Sequence, residues 1–585
     1  MTPTPTPPTN ATPLPRSLTP EEQKLLEQQG CRSFDWDRVK ISHETDLRRI
    51  RGVEFAGSVT IGRLHTGEIT NCRLEDVETG ADVTLRNVPG GIKGCHIGAG
   101  AIVDNVGRIE YEPGATCGIG TAVDVLDETG SRPVVIYPGI DSQTAALMAR
   151  VPEWVSERLG SELREFVESK ELTGGIGEKS RIRDCGTLTN VFIDREVTVE
   201  GASSLKNGSI INNASPGRCL AYVGAGTDAD NFIIEDGRVE GNVILHNCYV
   251  GQGAELSKGF SAHDSLFFAN CSMENGEACA LFAGPYTVSM HKSTLLIGCM
   301  TSFMNAGSAT NQSNHMYKLG PVHWGILERG VKTSSNSYLM LGADIGAFSL
   351  LMGDHKTHPD STQFPFSYLF GDERGATVVV PGAMLRSCGL MRDEKKWPTR
   401  DRRLKRKLPL HDRITFEVLN PYTVDRMLEA LDTIRELLSR PADDDRVVRY
   451  KGMKFSRASL ERAERLYTLA IFRYLHERLP DDTFPADDGE EPAKWVDLSG
   501  QLLTRFDLES ILATEDIDEA GRLLDEAYAR YAADEQLWIG RRFGAEWRER
   551  ETEIAAGAAE FEKMVENDRN EYLEELSAEN AMLSL

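Results

Sequence analysis

The sequence lacks several features that would assign it to a familiar class. No apolar run approaches the roughly 18 residues that a membrane span requires, and the N-terminus has no apolar stretch typical of a secretory signal. The 11 cysteines stand singly, without a CxxC pair, which argues against a zinc knuckle and against a disulfide framework. These absences predict a protein without a membrane span in a reducing, cytoplasmic compartment.

Basic charge is also scarce. The chain has 65 Lys and Arg against 90 Asp and Glu, for a net charge of -25. A nucleic-acid binder needs a basic face that neutralises phosphates, so this balance predicts no nucleic-acid partner. At 585 residues the chain is too long for one ordinary core, and we expect two or three structural units.

Composition divides the chain into segments. Residues 1–18 are rich in Thr and Pro and predict a disordered lead-in. Residues 19–50 predict a short helical N-terminal segment, because TPEEQKLLEQQG offers an N-cap, an early proline, early acids and a closing glycine. Residues 51–390 read as β-structure with a helical insertion at about 141–172. A basic linker arm (391–419) and an all-α C-terminal domain (420–585) follow.

The β-rich segment repeats with a period of six. Its apolar ladders comprise Ile244, Val250, Leu256, Ala262 and Phe268, then Leu339, Ile345 and Leu351, and the pairs Val53/Val59, Val77/Val83, Ile119/Val125 and Ile193/Val199. Apolar-Gly pairs such as Ile97-Gly98 accompany them. This period is typical of a hexapeptide-repeat parallel β-helix, in which stacked aliphatic side chains fill the core and glycine accommodates the corners. An irregular β-sandwich is the alternative. The fold class is therefore mainly β, with an inserted helix and a helical C-terminal region.

The basic arm runs against the acidic character of the chain. Residues 392–413 (RDEKKWPTRDRRLKRKLPLHDR) hold ten Lys and Arg against four acids. One interpretation is a solvated linker that pairs with the acidic helices. The other is an arm that binds phosphate or carboxylate groups through arginine forks.

Candidate chemistry is concentrated in residues 263–375, where the repeat breaks down. Six of the 12 histidines fall there: His263, His291, His315, His323, His355 and His358. Polar and aromatic stretches such as NAGSATNQSNHMYKLGPVHWG and GDHKTHPDSTQFPF accompany them. A local failure of the sequence rules is typical of functional sites, so we expect the site here.

The sixfold ladder with its Ile-Gly and Val-Gly pairs, inserted helix and helical tail resembles the left-handed parallel β-helix acyltransferase superfamily. That superfamily includes sugar-nucleotide O- and N-acyltransferases and γ-class carbonic anhydrases. The resemblance covers roughly residues 51–390 and is one of repeat pattern, so it is specific for fold and weak for activity. The layout is closest to a large bacterial family with a helical C-terminal region. The resemblance also implies a homo-oligomer, with a trimer as the expected form.

If the acyltransferase resemblance extends to function, the substrate is a sugar or nucleotide sugar and the donor a thioester such as acyl-CoA. One histidine would act as general base, and we expect His315 first and His355 second, with Asp354 as a possible orienter of His355. Predicted substrate-binding residues surround them: Asn311, Gln312, Asn314, Tyr317, Lys318, His323, Arg329 and Lys332.

If the carbonic anhydrase resemblance extends to function, three histidines would bind a divalent metal, and the candidates are His315, His323, His355 and His358. The sequence lacks the GHxxxxH element of that class. His355 and His358, three apart, would point to opposite faces of a strand. A metal is therefore not the favoured interpretation.

Two further classes stay open. An isomerase, epimerase or lyase acting on a phosphorylated or charged sugar would use Lys318, Arg329, Lys332 and the basic arm for the anion. His315 or His355, with Glu328 or Asp354, would then transfer protons. A non-catalytic oligomeric scaffold is the remaining alternative, which the density of histidines disfavours.

Overall fold

Short parallel strands stacked in successive coils make up most of the protein. The structure, a computed structural model, describes residues 15–170, 172, 174–313, 323–440, 447–478 and 489–583. The chain divides into two units, Met1–Ile119 with Glu171–Val243 and Gly120–Lys170 with Ile244–Leu585. The prediction of a mainly β protein with a parallel β-helix and a helical C-terminal region is confirmed.

The first unit contains helix α1 (Pro20–Gln28) and a β-solenoid. Its strands are Arg16–Ser17, Arg32–Ser33, Val39–Ile41, Ile50–Ile61, Glu68–Thr79, Thr84–Lys93, His96–Ile97, Ile102–Asp104, Arg108–Glu110, Gly175–Ile176, Arg181–Arg183, Thr187–Ile193, Thr198–Glu200, Ser204–Ile211, Tyr222–Val223, Asp228–Glu235 and Arg238–Glu240. Within this unit the chain resumes its coil after residue 170, because Gly175–Ile176 pairs in parallel with His96–Ile97. Parallel partners such as Arg181 and Thr198 lie 17 residues apart, close to three six-residue repeats.

The N-terminal segment is helical only over α1. Thr19 and Glu22 form a capping box at its first turn, as the sequence predicts. Beyond Gln28, the structure differs from a helical segment extending to residue 50. Strands Arg32–Ser33 and Val39–Ile41 pair in parallel with Ile50–Ile61, and in the second of them the alternating apolar residues Val39 and Ile41 are buried.

The second unit contains a longer stretch of coils. Its solenoid strands are Ile244–Val250, Glu255–Ser257, Ser261–Phe267, Ser272–Glu274, Glu277–Cys279, Phe282–Ala283, Val288–Ser289, Leu295–Ile297, Cys299–Thr301, Asn305–Ala306, Asn311–Ser313, Gly325–Leu327, Lys332–Thr333, Tyr338–Met340, Asp344–Ile345, Leu350–Met352, Asp354–His355, Tyr368–Gly371 and Thr377–Val380. They form three faces, and on one of them Cys299–Thr301 pairs with Gly325–Leu327, which pairs with Asp344–Ile345.

The sixfold ladders occupy the solenoid core almost throughout. Val250, Leu256, Ile345 and Leu351 are completely buried. Ile244 is the exception: it is 56% exposed, and its neighbour Leu245 faces inward instead. The period of six therefore identified the buried positions, except at Ile244, where the buried residue is its neighbour Leu245.

Asparagine turns many of the corners. Asn71, Asn87, Asn190 and Asn207 all have φ near +50°, a left-handed conformation that asparagine tolerates better than most residues. Stacked corner residues also bond to each other, since Asn190 Nδ2 donates to Asn207 Oδ1 at 3.2 Å. The sequence interpretation assigned corners to glycine, but Asn side chains additionally connect one coil to the next.

The insertion lies in the second unit and is less regular than one long helix. A hairpin of Ala122–Asp124 and Pro133–Val135 precedes α2 (Ser142–Arg150), a π-helical turn (Trp154–Leu159) and α3 (Gly160–Ser169). Pro152 lies between α2 and the turn, and Gly160 has φ +46° at the junction with α3. These residues interrupt the helical stripe that the sequence predicts.

The C-terminal region is helical but not entirely so. Its helices are α4 (Cys388–Thr399), α5 (Arg402–Arg406), α6 (Pro421–Ser439), α7 (Arg457–Arg478), α8 (Arg505–Leu512), α9 (Ile517–Arg548) and α10 (Glu551–Leu583). Two hairpins interrupt them, Val447–Tyr450 with Met453–Ser456, and Trp495–Leu498 with Gln501–Thr504. The first hairpin extends the solenoid sheet, because Val378 and Val379 pair with Lys454 and Phe455. Among the described helices, none is both long and apolar enough to cross a membrane.

Candidate functional site

The predicted histidines do not form one cluster in the part of the chain that the structure describes. His315, the first choice for a general base, lies outside the described residues, as do Asn314, Tyr317 and Lys318. The remaining candidates separate into a buried imidazole and a surface pair. The surrounding residues therefore decide what each can do.

His355 faces the solenoid core and is completely buried. Its Nδ1 lies 2.9 Å from Thr377 Oγ1, so a threonine rather than Asp354 orients the ring. Burial lowers the pKa of His355 to about 4, which keeps the imidazole neutral at pH 7. Asp354 instead forms an exposed ion pair with Lys356 at 3.0 Å. This placement gives His355 a packing environment rather than access to a substrate.

His323 and His358 come together at the surface. Their ring centroids are 4.9 Å apart, and His358 Nδ1 lies 2.5 Å from the carbonyl oxygen of Leu341. Within the described ranges, no three His, Cys, Asp or Glu side chains lie close enough together to hold a metal ion. The structure thus brings together two of the four metal candidates, places His355 away from them, and does not describe His315.

The other predicted binding residues have separate surroundings. Gln312 is buried, and its Oε1 accepts a hydrogen bond from the Ile297 backbone N–H at 3.0 Å. Asn311 begins the same strand and pairs in register with Tyr338. Lys332 is paired with Asp393, its Nζ 2.5 Å from a carboxylate oxygen. Arg329, by contrast, lines a cavity together with Glu328.

The basic arm is a strap that crosses the coils of the second unit, and we use "strap" for residues 400–413. Arg403 is buried against Asp401 at 2.8 Å. Arg402 Nη1 donates to the carbonyl oxygen of Gly253 at 2.6 Å, and Arg402 Nη2 donates to Ser272 Oγ at 2.8 Å. Arg402 therefore holds the strap to the solenoid, and Arg403 pairs with Asp401 within the strap, whereas the sequence predicts either a solvated linker or an anion-binding arm.

A cavity of about 160 Å³ lies where one solenoid face meets α6 and the hairpin of Trp495–Leu498 with Gln501–Thr504, which we call the second hairpin. The adjacent coils contribute Thr301, Glu328 and Arg329, and the first turns of α6 contribute Tyr422 and Arg426. The lining residues are Arg150, Met300, Thr301, Ser302, Ile326, Leu327, Glu328, Arg329, Tyr422, Arg426, Trp495, Val496, Asp497, Leu498, Ser499 and Leu508. Arg150 is exposed, so this side of the cavity faces solvent.

Glu328 is the acid–base group of the cavity. Tyr422 Oη donates to its Oε1 at 2.5 Å, and the Ala347 backbone N–H donates to its Oε2 at 3.0 Å. Burial of the carboxyl raises its pKa to about 7, against the opposing influence of Arg426 and of the Tyr422 hydrogen bond. A carboxyl that titrates near pH 7 can both accept and return a proton under physiological conditions.

Arg329 is the most buried cation of the cavity, at 1% exposure. Its Nη2 donates to the carbonyl oxygen of Thr415, and its guanidinium lies 5.3 Å from the centroid of the Phe303 ring. Its nearest carboxylate, Asp497 Oδ2, is 3.9 Å from Nε, too far for a hydrogen bond. The positive charge is therefore positioned firmly but only partly compensated.

Several polar atoms in the cavity lining have no partner among the described residues. They are Thr301 Oγ1, Arg329 Nε and Nη1, Trp495 Nε1 and Ser499 Oγ, all buried. Buried polar groups in native proteins are nearly always hydrogen-bonded, so a cluster of unpaired ones within one cavity indicates a place for a polar ligand.

The second hairpin is fixed at its tip, which brings Trp495, Asp497 and Ser499 to the cavity. Ser499 has φ +50° and Gly500 has φ +93°, as a two-residue hairpin turn requires. Asp497 Oδ1 accepts from the Gly500 N–H at 2.8 Å, and Gln143 Nε2 donates to the Ser499 carbonyl oxygen at 3.1 Å.

Sequence reasoning identified Glu328 and Arg329 but missed the remaining polar residues of the cavity. In the sequence, Tyr422 and Arg426 look like ordinary residues of the amphipathic helix α6. The hairpin carries a Ser-Gly turn signal in WVDLSGQLLT that could have been found. Its position against the solenoid has no local signal, because residues some 170 positions apart meet only in the folded chain.

One comparison with known proteins gives a match. A family model described as a domain of unknown function (DUF4954) matches residues 15–438, well over half of the chain. No curated protein matches the sequence. The matched residues include Glu328, Arg329, Tyr422 and Arg426 of the cavity, whereas the second hairpin lies beyond them.

Proposed function

We propose that this chain, which belongs to the DUF4954 family, is an enzyme that transfers protons within a small anionic sugar or sugar-like metabolite. Isomerisation, epimerisation and elimination all belong to this class of reaction. The observation that carries the proposal is the position of the Glu328 carboxyl in a cavity lined by three arginines, Arg150, Arg329 and Arg426.

The chemistry assigns Glu328 the role of base. Its carboxylate would take a proton from a carbon beside a carbonyl group, and the C–H electron pair would form an enolate. Arg426 would stabilise the charge on the enolate oxygen. In an isomerase the protonated Glu328 would return the proton to the neighbouring carbon, while the hydroxyl proton on that carbon moves to the enolate oxygen and leaves a carbonyl group there. In an epimerase that repositions its substrate, the proton would return to the same carbon from the opposite face.

Tyr422 is a positioning residue in this scheme. Its hydroxyl donates to Glu328 and favours the carboxylate form, whereas burial favours the neutral acid. Together these influences hold the pKa of Glu328 at about 7. A carboxyl group with this pKa is basic enough to take a proton from carbon, and at neutral pH about half of the molecules carry it in the deprotonated form that can do so.

Acyl transfer to a sugar from a thioester such as acyl-CoA is the second candidate. The parallel β-solenoid favours it, since the acyltransferases of the resemblance share that architecture. Its preferred base, His315, lies outside the described residues. It stays a prediction from the sequence, and so do the carbohydrate substrate and the homo-oligomeric assembly.

The proposal is tested by proton exchange, which needs no knowledge of the product. Sugar phosphates, sugar acids and acyl-CoAs are first screened for thermal stabilisation of the full chain. Stabilising compounds are then incubated in D₂O, and deuterium entry into C–H positions is followed by NMR. We expect exchange with the wild type, at least 100-fold slower exchange with Glu328→Gln, and a rate that rises with pH through about 7.

Two variants sharpen the test. Glu373→Gln changes an exposed glutamate outside the cavity and should exchange at the wild-type rate. Tyr422→Phe removes the donor to Glu328, which raises the pKa of that carboxyl and moves the midpoint of the pH profile upward. Exchange that persists in Glu328→Gln, or stabilisation by acyl-CoAs alone, would contradict the proposal.

A further inference from the structure

Four residues that line the cavity carry buried polar atoms without a hydrogen-bond partner among the described residues: Thr301, Arg329, Trp495 and Ser499. A buried donor without a partner is destabilising, so five such atoms on four lining residues would not be retained without compensation. Arg329 contributes two of them, Nε and Nη1, and its side chain is almost completely buried.

We propose that Arg329, Thr301, Trp495 and Ser499 form a subsite for the phosphate group of a phosphorylated substrate. This inference rests on the proposed function, since it names the anion that the acid–base site accepts. The subsite combines two solenoid residues, Thr301 and Arg329, with two residues of the hairpin Trp495–Leu498 and Gln501–Thr504.

The number of donors favours phosphate over carboxylate. The unpaired nitrogens of Arg329 carry three hydrogens, Trp495 Nε1 carries one, and the hydroxyls of Thr301 and Ser499 carry one each. A carboxylate has about four lone-pair positions for such donors. A phosphate monoester has three strongly accepting terminal oxygens and accommodates the whole set.

The balance of charge supports the same choice. Three arginines line the cavity against two carboxyl groups, Glu328 and Asp497. With Glu328 ionised, as the proposed proton transfer requires, the lining has an excess of one positive charge, and with Glu328 protonated an excess of two, so a phosphate monoester is attracted in both states. Asp497 bonds to the hairpin through the Gly500 N–H, so part of its charge is already committed to holding the turn.

The hairpin therefore has a recognition role that is separate from the acid–base pair. Glu328 and Tyr422 lie within the residues that the family model matches, whereas Trp495 and Ser499 lie beyond them. Two contacts fix the tip of the second hairpin. Gln143 Nε2 donates to the Ser499 carbonyl oxygen, and the Thr415 N–H, just after the strap, donates to the Gly500 carbonyl oxygen at 2.9 Å. A rigid tip holds its donors at fixed positions, which lowers the entropy cost of binding.

The experiment is titration calorimetry of the full chain with inorganic phosphate, with acetate and sulfate as comparators, at pH 7.5. We expect phosphate to bind and acetate to bind at least tenfold more weakly. Arg329→Gln should weaken phosphate binding at least tenfold, because it removes both the positive charge and the paired N–H donors of the guanidinium group. Arg329→Lys should recover part of the loss, since it restores charge alone.

Because Arg329→Gln removes a buried cation that also bonds to the Thr415 carbonyl oxygen, milder variants carry the test independently. Trp495→Phe removes one N–H donor and should weaken phosphate binding about threefold to tenfold. Ser499→Ala should weaken phosphate binding by a similar factor. Arg374→Gln changes an exposed arginine outside the cavity and should bind phosphate as the wild type does. Glu328→Gln should retain phosphate binding.

The outcomes separate this inference from the proposed function. Phosphate binding that depends on Trp495 and Arg329, without deuterium exchange in any compound, supports the subsite and contradicts the proton transfer. Exchange in sugar acids without phosphate binding supports the proton transfer and overturns the subsite. Equal binding of acetate and phosphate, or unchanged binding in Trp495→Phe and Ser499→Ala, also overturns it.

Discussion

At the scale of single residues, two buried titratable groups respond to pH in opposite directions. Burial raises the pKa of Glu328 to about 7 and lowers that of His355 to about 4. Folded protein therefore binds a proton at Glu328 more readily than unfolded protein does, and its stability falls as pH rises from about 4.5 to 7. At His355 the unfolded state binds the proton more readily, so stability falls as pH drops from about 6.5 to 4.

His355→Gln tests the second of these effects. Between pH 7.5 and 4.5 the wild type should lose about 2.5 kcal/mol of unfolding free energy through this histidine, because the neutral imidazole is buried and the unfolded one protonates. The variant should be less stable at pH 7.5 through lost packing but should lack this component of the acid loss. Urea denaturation at the two pH values measures the difference.

A matched control changes an exposed histidine. His291→Gln should lose stability with acid as the wild type does, because His291 lies at the surface. An acid loss in His355→Gln as large as that of the wild type would show that His355 does not carry this pH dependence.

At the scale of elements, the strap connects the insertion to the coils. Asp412 is the central contact: its Oδ1 accepts from the Ser142 N–H at 2.6 Å and its Oδ2 from the Ala269 N–H at 2.8 Å. Ser142 begins α2, and Ala269 lies in a loop of the solenoid. One carboxylate thus satisfies backbone donors of two elements distant in sequence.

Asp412→Ala should destabilise the second unit by about 2–5 kcal/mol, because it leaves two buried N–H groups unsatisfied. Thermal denaturation followed by circular dichroism measures the loss. Asp432→Ala on α6 is the control, since that side chain is 80% exposed and its removal should change stability by less than about 0.5 kcal/mol. Equal melting temperatures for the two variants would refute the role assigned to Asp412.

At the scale of the whole molecule, the helical region completes the solenoid core of the second unit. Val424, Met427, Ile434 and Leu437 of α6 are completely buried, and α6 packs against α7. The hairpin Val447–Tyr450 with Met453–Ser456 also continues the sheet. The family-matched residues therefore form only part of a folding unit.

A chain truncated after residue 440 should aggregate or bind the dye ANS, because it exposes the apolar surface that the later helices cover. Size-exclusion chromatography and ANS fluorescence measure this. Deletion of residues 1–14, which precede the family-matched region, should leave both readouts unchanged. A monodisperse truncated protein with no ANS signal would contradict this dependence.

The sequence by itself determined the repeating architecture. A period of six fixes which side chains can face a stacked core, so the ladders Leu339, Ile345 and Leu351 and the short pairs were recognisable without coordinates. Helices were equally local, since the cap at Thr19 and the stripe of α6 depend on neighbouring residues. Within the solenoid, the period of six failed in phase at Ile244 and Leu245, where both residues are apolar.

Only the tertiary structure decided the site. Histidine density pointed to residues 263–375, and that range does contain Thr301, Glu328 and Arg329, but the described histidines proved to be a core imidazole and surface rings. Trp495 and Ser499 line the same cavity as Arg329 because a hairpin and a solenoid face meet, and no residue spacing encodes that meeting. Unpaired donors and a raised carboxyl pKa arise from burial, which depends on the complete fold.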